Sequence, residues 1–160
     1  MSRQSAGLAN DITTLEERVV TLATGTTQLD PAKHANRLLQ ISTADVAYTL
    51  NLPYATGSGD IYKFLVTVAR TSGSVVINAR HPSASASNKI IGTVFGFGSA
   101  STIVTYSSTA NDIITLNNTT TGGYKAGDYI ELQDVAVGTW RVVTALLTLS
   151  TAAGATPFSG

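Results

Sequence analysis

GDYIELQDVAVGTWRVV, Gly127–Val143, decides the fold. Tyr129, Glu131 and Gln133 fall on one face of an extended segment, and Ile130 and Leu132 fall on the other. Asp128 stands beside Gly127 at the strand entry, where aspartate is a usual turn former. Asp134 stands at the exit, before Val-Ala-Val-Gly reverses the chain at Gly138 and Trp140-Arg141 opens the return strand. The spacing predicts a hairpin. It also raises a chemical question, because Asp128, Glu131 and Asp134 are close in sequence, as an acid/base pair or half a metal site would be. The alternation argues against such a site. The three carboxylates sit at different heights, and Glu131 and Asp134 point to opposite faces. A calcium site needs several converging oxygens, and no DxDxDG-type loop is present.

The same pattern extends outward over Arg37–Leu149. Asp45–Leu52, Ile61–Ala69, Val75–Ala79, Lys89–Phe97, Ile103–Tyr106, Ile113–Leu116, Tyr129–Gln133 and Thr139–Leu149 read as strands. Between them lie the turn signals ATGSGD, RTSGS, HPSASASN, STAND and NNTTTGG. Short strands with frequent turns predict a mainly β fold, an antiparallel β-sandwich or barrel of about eight to nine short strands. No repeat of fixed period is visible. This β domain spans 37–150, and the small-residue segment 151–160 reads as a flexible C-terminal tail.

The N-terminal segment follows a different period. Leu8, Ile12, Leu15, Val19 and Leu22 recur at spacings of four, three, four and three, an apolar seam of heptad type. Residues 1–26 therefore read as one N-terminal α-helical arm, with Gly25 as its C-cap. Residues 27–36 form a connector in which Asp30-Pro31 either starts a helical turn or leads on as extended chain. A helix of about 15 residues is marginal alone in water. The seam must be buried on its own domain, on sister copies or on another protein.

Composition narrows the function. The chain has 160 residues, with ten Lys plus Arg balanced by ten Asp plus Glu; charged residues make up 12%, about half the usual share. There is no basic run to attract phosphate, which argues against nucleic acid. No stretch approaches the ~20 apolar residues of a membrane span, and the N-terminus lacks a signal-type apolar core. The absence of cysteine removes disulfides, thiolate metal sites and a Cys nucleophile. A low-charge surface rich in Thr, Ser and Asn suits a chain packed against partners.

Other chemical candidates are weak. The histidines are His34, in the connector, and His81, before Pro82 in a Ser-rich loop; there is no G-x-S-x-G elbow to make a triad. Gly57–Asp60 (GSGD) and Gly96–Ser99 (GFGS) lack the lysine of a P-loop and read as turns or bulges. Asn117 and Asn118 fit the glycan-acceptor pattern. Trp140, the single tryptophan, is either a core anchor whose N–H finds an acceptor or, with Arg141 beside it, a sugar-stacking platform. No catalytic residue, cofactor or metal is expected.

Taken together, the seam, the Thr/Ser/Gly-rich β domain and the cadence GD-strand-D-x-x-x-G-x-W-x-V resemble the small virion structural proteins of tailed bacteriophages, most closely head decoration (cement) proteins. The resemblance implies a non-enzymatic homo-oligomer, with a trimer favoured, on the outer capsid surface of the virion. There it would bridge subunits of the major capsid protein, with Leu8, Ile12, Leu15, Val19 and Leu22 at the oligomer or capsid interface. Fibre and adhesin modules share this texture. In that alternative Trp140 and Arg141 are the ligand site.

Overall fold

Val19-Val20-Thr21 is a β-branched triplet, and such residues lose little side-chain freedom in a strand. In the computed structural model, which describes residues 18–80 and 88–160, this triplet is strand β1 (Val19–Thr21), not the last turn of a helix. It pairs in parallel with Leu38–Gln40, and the Leu22 N–H continues the ladder to the Gln40 carbonyl at 2.9 Å. The seam reading is thus corrected at its C-terminal end. Val19 is exposed, Leu22 is buried in the core, and Gly25 opens strand β2 (Gly25–Gln28) with φ 81° instead of capping a helix. Leu8, Ile12 and Leu15 lie outside the described residues.

The helix among the described residues is a single turn, α1 (Pro31–His34), started by Asp30, whose carboxylate accepts from the Ala32 N–H at 2.9 Å. After it come β3 (Arg37–Ile41), β4 (Tyr48–Asn51), β5 (Ile61–Val66), β6 (Val75–Asn78), β7 (Lys89–Phe97) and β8 (Ile103–Ser108). The chain closes with β9 (Ile113–Leu116), β10 (Tyr129–Ala136), β11 (Thr139–Thr148) and β12 (Phe158–Ser159). One sheet has the order β1-β3-β5-β10-β11-β7-β8 and the other β12-β9-β6-β4-β2.

The fold is mainly β, as expected, but the sheets are mixed and the strands among the described residues number twelve instead of eight to nine. The first six strands alternate between the two sheets. β1, β3 and β5 pair in parallel in one sheet, and β2, β4 and β6 in the other. The chain therefore winds as a three-coil solenoid, each parallel crossover being a strand of the opposite sheet instead of a helix. Like residues stack from coil to coil. Leu50 lies beside Ile77, and Gln28, Asn51 and Asn78 form a polar row in which Asn78 Nδ2 donates to Asn51 Oδ1 at 3.0 Å. The coils differ in length, since Leu38 stacks on Val19 but Lys63 on Leu38. No fixed period appears in the sequence for that reason. Among the described strands, β5–β10, β10–β11, β7–β8, β6–β9 and β9–β12 pair antiparallel.

Inward side chains of both sheets join one cluster, including Leu39, Phe64, Ile130 and Trp140 from the larger sheet and Tyr48, Leu50, Ile77 and Ile114 from the smaller. The segment read as a flexible tail ends in β12. Phe158 is buried in the same cluster opposite Ile114.

Candidate functional site

The hairpin forms as expected, β10 pairing antiparallel with β11 around Gly138, whose φ is 68°. Its carboxylates are separated. Asp128 and Asp134 stand six residues apart on one strand, about 20 Å at 3.3 Å per residue. Each is spent on the chain's own N–H groups. Asp128, buried, accepts from Gly123 N–H at 2.8 Å and Thr148 N–H at 2.9 Å. Asp134, also buried, accepts from the N–H groups of Thr56 (2.8 Å), Gly57 (2.7 Å) and Ser58 (3.3 Å) and from the hydroxyls of Thr56 and Ser58. Glu131, on the opposite face, accepts from Tyr129 Oη at 2.6 Å and lies beside Lys63 in register. Burial and that bond push the Tyr129 phenol up.

The two aspartates differ in charge balance. Burial outweighs the hydrogen bonds at Asp128 and pushes its carboxyl up. At Asp134 burial also opposes ionisation, but the donors of Thr56, Gly57 and Ser58 together hold the carboxyl below its usual range. A group whose folded pKa is depressed stabilises the fold above its unfolded pKa, and that stabilisation is lost as pH falls through the folded value. Asp134→Asn turns an amide toward these donors and lowers stability by about 2–3 kcal/mol near neutral pH. Urea midpoints of wild type and variant converge as the pH approaches about 2. Asp128 acts equally in both proteins, so the difference isolates Asp134. A gap constant with pH contradicts this assignment.

The other chemical candidates also have structural roles. Gly57 and Ser58 give their N–H groups to Asp134, so the GSGD loop does not present them to a phosphate. Gly96 packs against Val104 and Leu149. His34 Nδ1 accepts from Asp30 N–H at 2.9 Å within α1, and His81 lies outside the described residues. Asn118 is buried, its amide donating to the Ser72 and Gly73 carbonyls. Asn117 Oδ1 accepts from the N–H groups of Thr119, Thr120 and Thr121. Among the described residues no group of three or more His, Asp or Glu side chains is arranged to hold a metal ion. No helix among them is long and apolar enough to cross a membrane.

Trp140 is 1% exposed. Its ring meets Tyr62 edge-to-face, with centroids 5.5 Å apart at 82°. The indole N–H has no acceptor, contrary to the expectation for a core anchor, and Tyr62 Oη is likewise unpaired. A sugar cannot stack on this ring, which corrects the alternative assignment of Trp140 and Arg141 as a ligand site. Arg141 is exposed next to it.

Two features were missed by the sequence reading. The first is Arg70, fully buried. Its guanidinium donates to the carbonyls of Thr43, Val46 and Gly73, while Nε donates to Asn118 Oδ1 at 3.3 Å. It also lies 5.3 Å from the centre of the Tyr48 ring. The only signal was a lone arginine at the end of the apolar run Ile61–Ala69, before a Thr-Ser-Gly turn.

The second is an apolar stripe on the outer face of the seven-stranded sheet. In register, Tyr129 lies beside Leu146, Leu146 beside Phe95, and Phe97 beside Ile103. Phe95, Phe97, Leu146 and Ile103 are 41%, 39%, 47% and 65% exposed. A β-bulge in β11 turns Val143 and Thr144 outward together, while Trp140, Val142, Ala145 and Leu147 stay buried. Val143 thereby joins the stripe, 40% exposed. The signal for this feature was present in Val94, Phe95 and Phe97, apolar on both faces of one strand. Comparison with protein-family models, curated proteins and solved structures finds no match to this chain.

Proposed function

We propose that this chain is a non-enzymatic decoration protein of a tailed-bacteriophage head. In this reading it is a β-sandwich that oligomerises, with a trimer favoured, on the outer capsid surface and stabilises the shell by bridging subunits of the major capsid protein. The observation that carries the proposal is the apolar stripe, on a chain whose hairpin aspartates, Asp128 and Asp134, are committed to its own backbone N–H groups. Exposed contiguous apolar area of several hundred Å² marks interaction surfaces. Its burial contributes roughly 25 cal/mol per Å² before ordering costs. Several copies held together make attachment multivalent, so weak single contacts reinforce each other. The resemblance of the Gly127–Val142 cadence to decoration proteins supplies the setting.

The test is co-sedimentation of the purified chain with assembled empty shells. The expected result is a bound fraction that changes little from low to high salt, because a formally neutral chain does not attach by charge. Leu15→Asp lowers attachment or assembly while the two-sheet body keeps its circular dichroism and melting temperature. No binding to shells, or binding lost on modest addition of salt, defeats the proposal. The fibre reading loses its ligand platform with the burial of Trp140.

A further inference from the structure

We infer that the stripe formed by Tyr129, Val143, Leu146, Phe95, Phe97 and Ile103 is the surface on which a second copy of this chain docks. The inference rests on the self-association in the function proposed above and names where the copies touch.

Two observations favour a second copy over a different protein. The first is charge. The stripe contains no ionisable side chain except the Tyr129 phenol, whose bond to Glu131 satisfies it, and the whole chain is formally neutral. Two copies therefore meet without net repulsion, and the stripe offers no charge by which to select a charged partner. The second is area. Five side chains each exposed by two-fifths to two-thirds supply on the order of 400 Å² of apolar surface, at the level that marks an interface. A stable interface takes about 800 Å² per partner. The rest of the same face, with Leu65, Thr93, Thr105 and Thr144 in neighbouring positions and the opposite charges Lys63 and Glu131 side by side in register, supplies the remainder. An identical flat face has matching size, and two such faces pack with side chains interleaved across about 10 Å.

The experiment is sedimentation equilibrium of the full chain over a wide concentration range, with F95T/L146T beside wild type. Threonine suits an exposed strand position, so circular dichroism and the Trp140 emission report whether the fold is kept. The expected result is wild type heavier than the 16.6 kDa chain and a self-association constant weakened roughly 100-fold or more in the variant. Ile103→Lys, at the rim of the stripe, has a smaller effect in the same direction. Wild type at monomer mass at every concentration overturns the inference and leaves the stripe to a different protein or to residues 1–17. An oligomer unchanged by both variants also overturns it. Oligomers that dissociate in F95T/L146T yet never bind shells leave the inference standing and defeat the decoration reading. Shell binding by a chain whose mass ignores the stripe does the reverse.

Discussion

Arg70→Ala lowers the free energy of unfolding by about 3–5 kcal/mol, read from urea denaturation with an unchanged slope. The guanidinium is fully buried and is surrounded by acceptors from three separate segments. Thr43 and Val46 belong to the link from β3 to β4, Gly73 to the turn from β5 to β6, and Asn118 to the loop after β9. Among the described residues, Arg70 is the one side chain that reaches all three of these segments at once. Gly73 has φ 66°, and a Cβ there would come within 2.7 Å of the Val46 carbonyl carbon. Asp45 ties the same corner, accepting from the N–H groups of Thr71 and Ser72 at 2.8 and 2.9 Å. Removing Arg70 leaves the Thr43 and Val46 carbonyls and the Asn118 amide oxygen without that donor, each costing about 1–3 kcal/mol less whatever water entry restores, while the Gly73 carbonyl keeps the Asn118 amide. For a chain of this size the melting temperature falls by roughly 10 °C. Arg70→Lys recovers little, because one ammonium cannot span acceptors arranged for a planar fork. A loss below about 1 kcal/mol in Arg70→Ala would show that the corner holds without it.

The guanidinium is a useful measure of what the sequence conveys. Alternation, turn residues and composition are local, and where local order decides the structure they were sufficient. Tyr129–Gln133 and Thr139–Leu149 form the hairpin, Gly138 turns it, and the turn-former reading of Asp128 agrees with its bond to the Gly123 N–H. The partners of a strand are not local. Period-two alternation is the same for parallel and antiparallel pairing, so the coils of β1–β6 could not be read from Asp45–Leu52 or Ile61–Ala69.

The N-terminal boundary failed for a related reason. Val19 and Leu22, three apart, extend the heptad seam; Val20 and Leu22, two apart, suit a strand equally well. The tie is broken by Leu38–Gln40, which offers β1 a parallel edge, and by the β-branched pair Val19-Val20. Phe158 was overlooked among small residues, yet one aromatic opposite Ile114 is enough to bring the segment back into the core. Arg70 was hidden because its function lies in three loops distant in sequence. The stripe was hidden because Phe95, Phe97 and Leu146 looked like ordinary strand residues until the register placed them on one outer face.

Trp140→Ala costs about 3–5 kcal/mol, while Trp140→Phe costs much less. The ring is central to the core, at 1% exposure, and its edge-to-face contact with Tyr62 is lost with alanine but largely kept with phenylalanine. The indole N–H has no acceptor in the structure. Phenylalanine gives up part of the packing but keeps an aromatic ring against Tyr62, so the loss is much smaller than with alanine. The ordering Trp above Phe far above Ala is therefore steeper at its second step than its first. The same residue provides its own probe. Being the only tryptophan in the chain, Trp140 alone sets the indole emission, which lies well to the blue in the folded state and shifts red on unfolding. Saccharides leave that emission unchanged, because no solvent-facing ring is available to stack on. A saccharide-dependent shift in the folded protein, or a Trp140→Ala variant as stable as wild type, would place the ring at the surface and restore the fibre-type reading that its burial argues against.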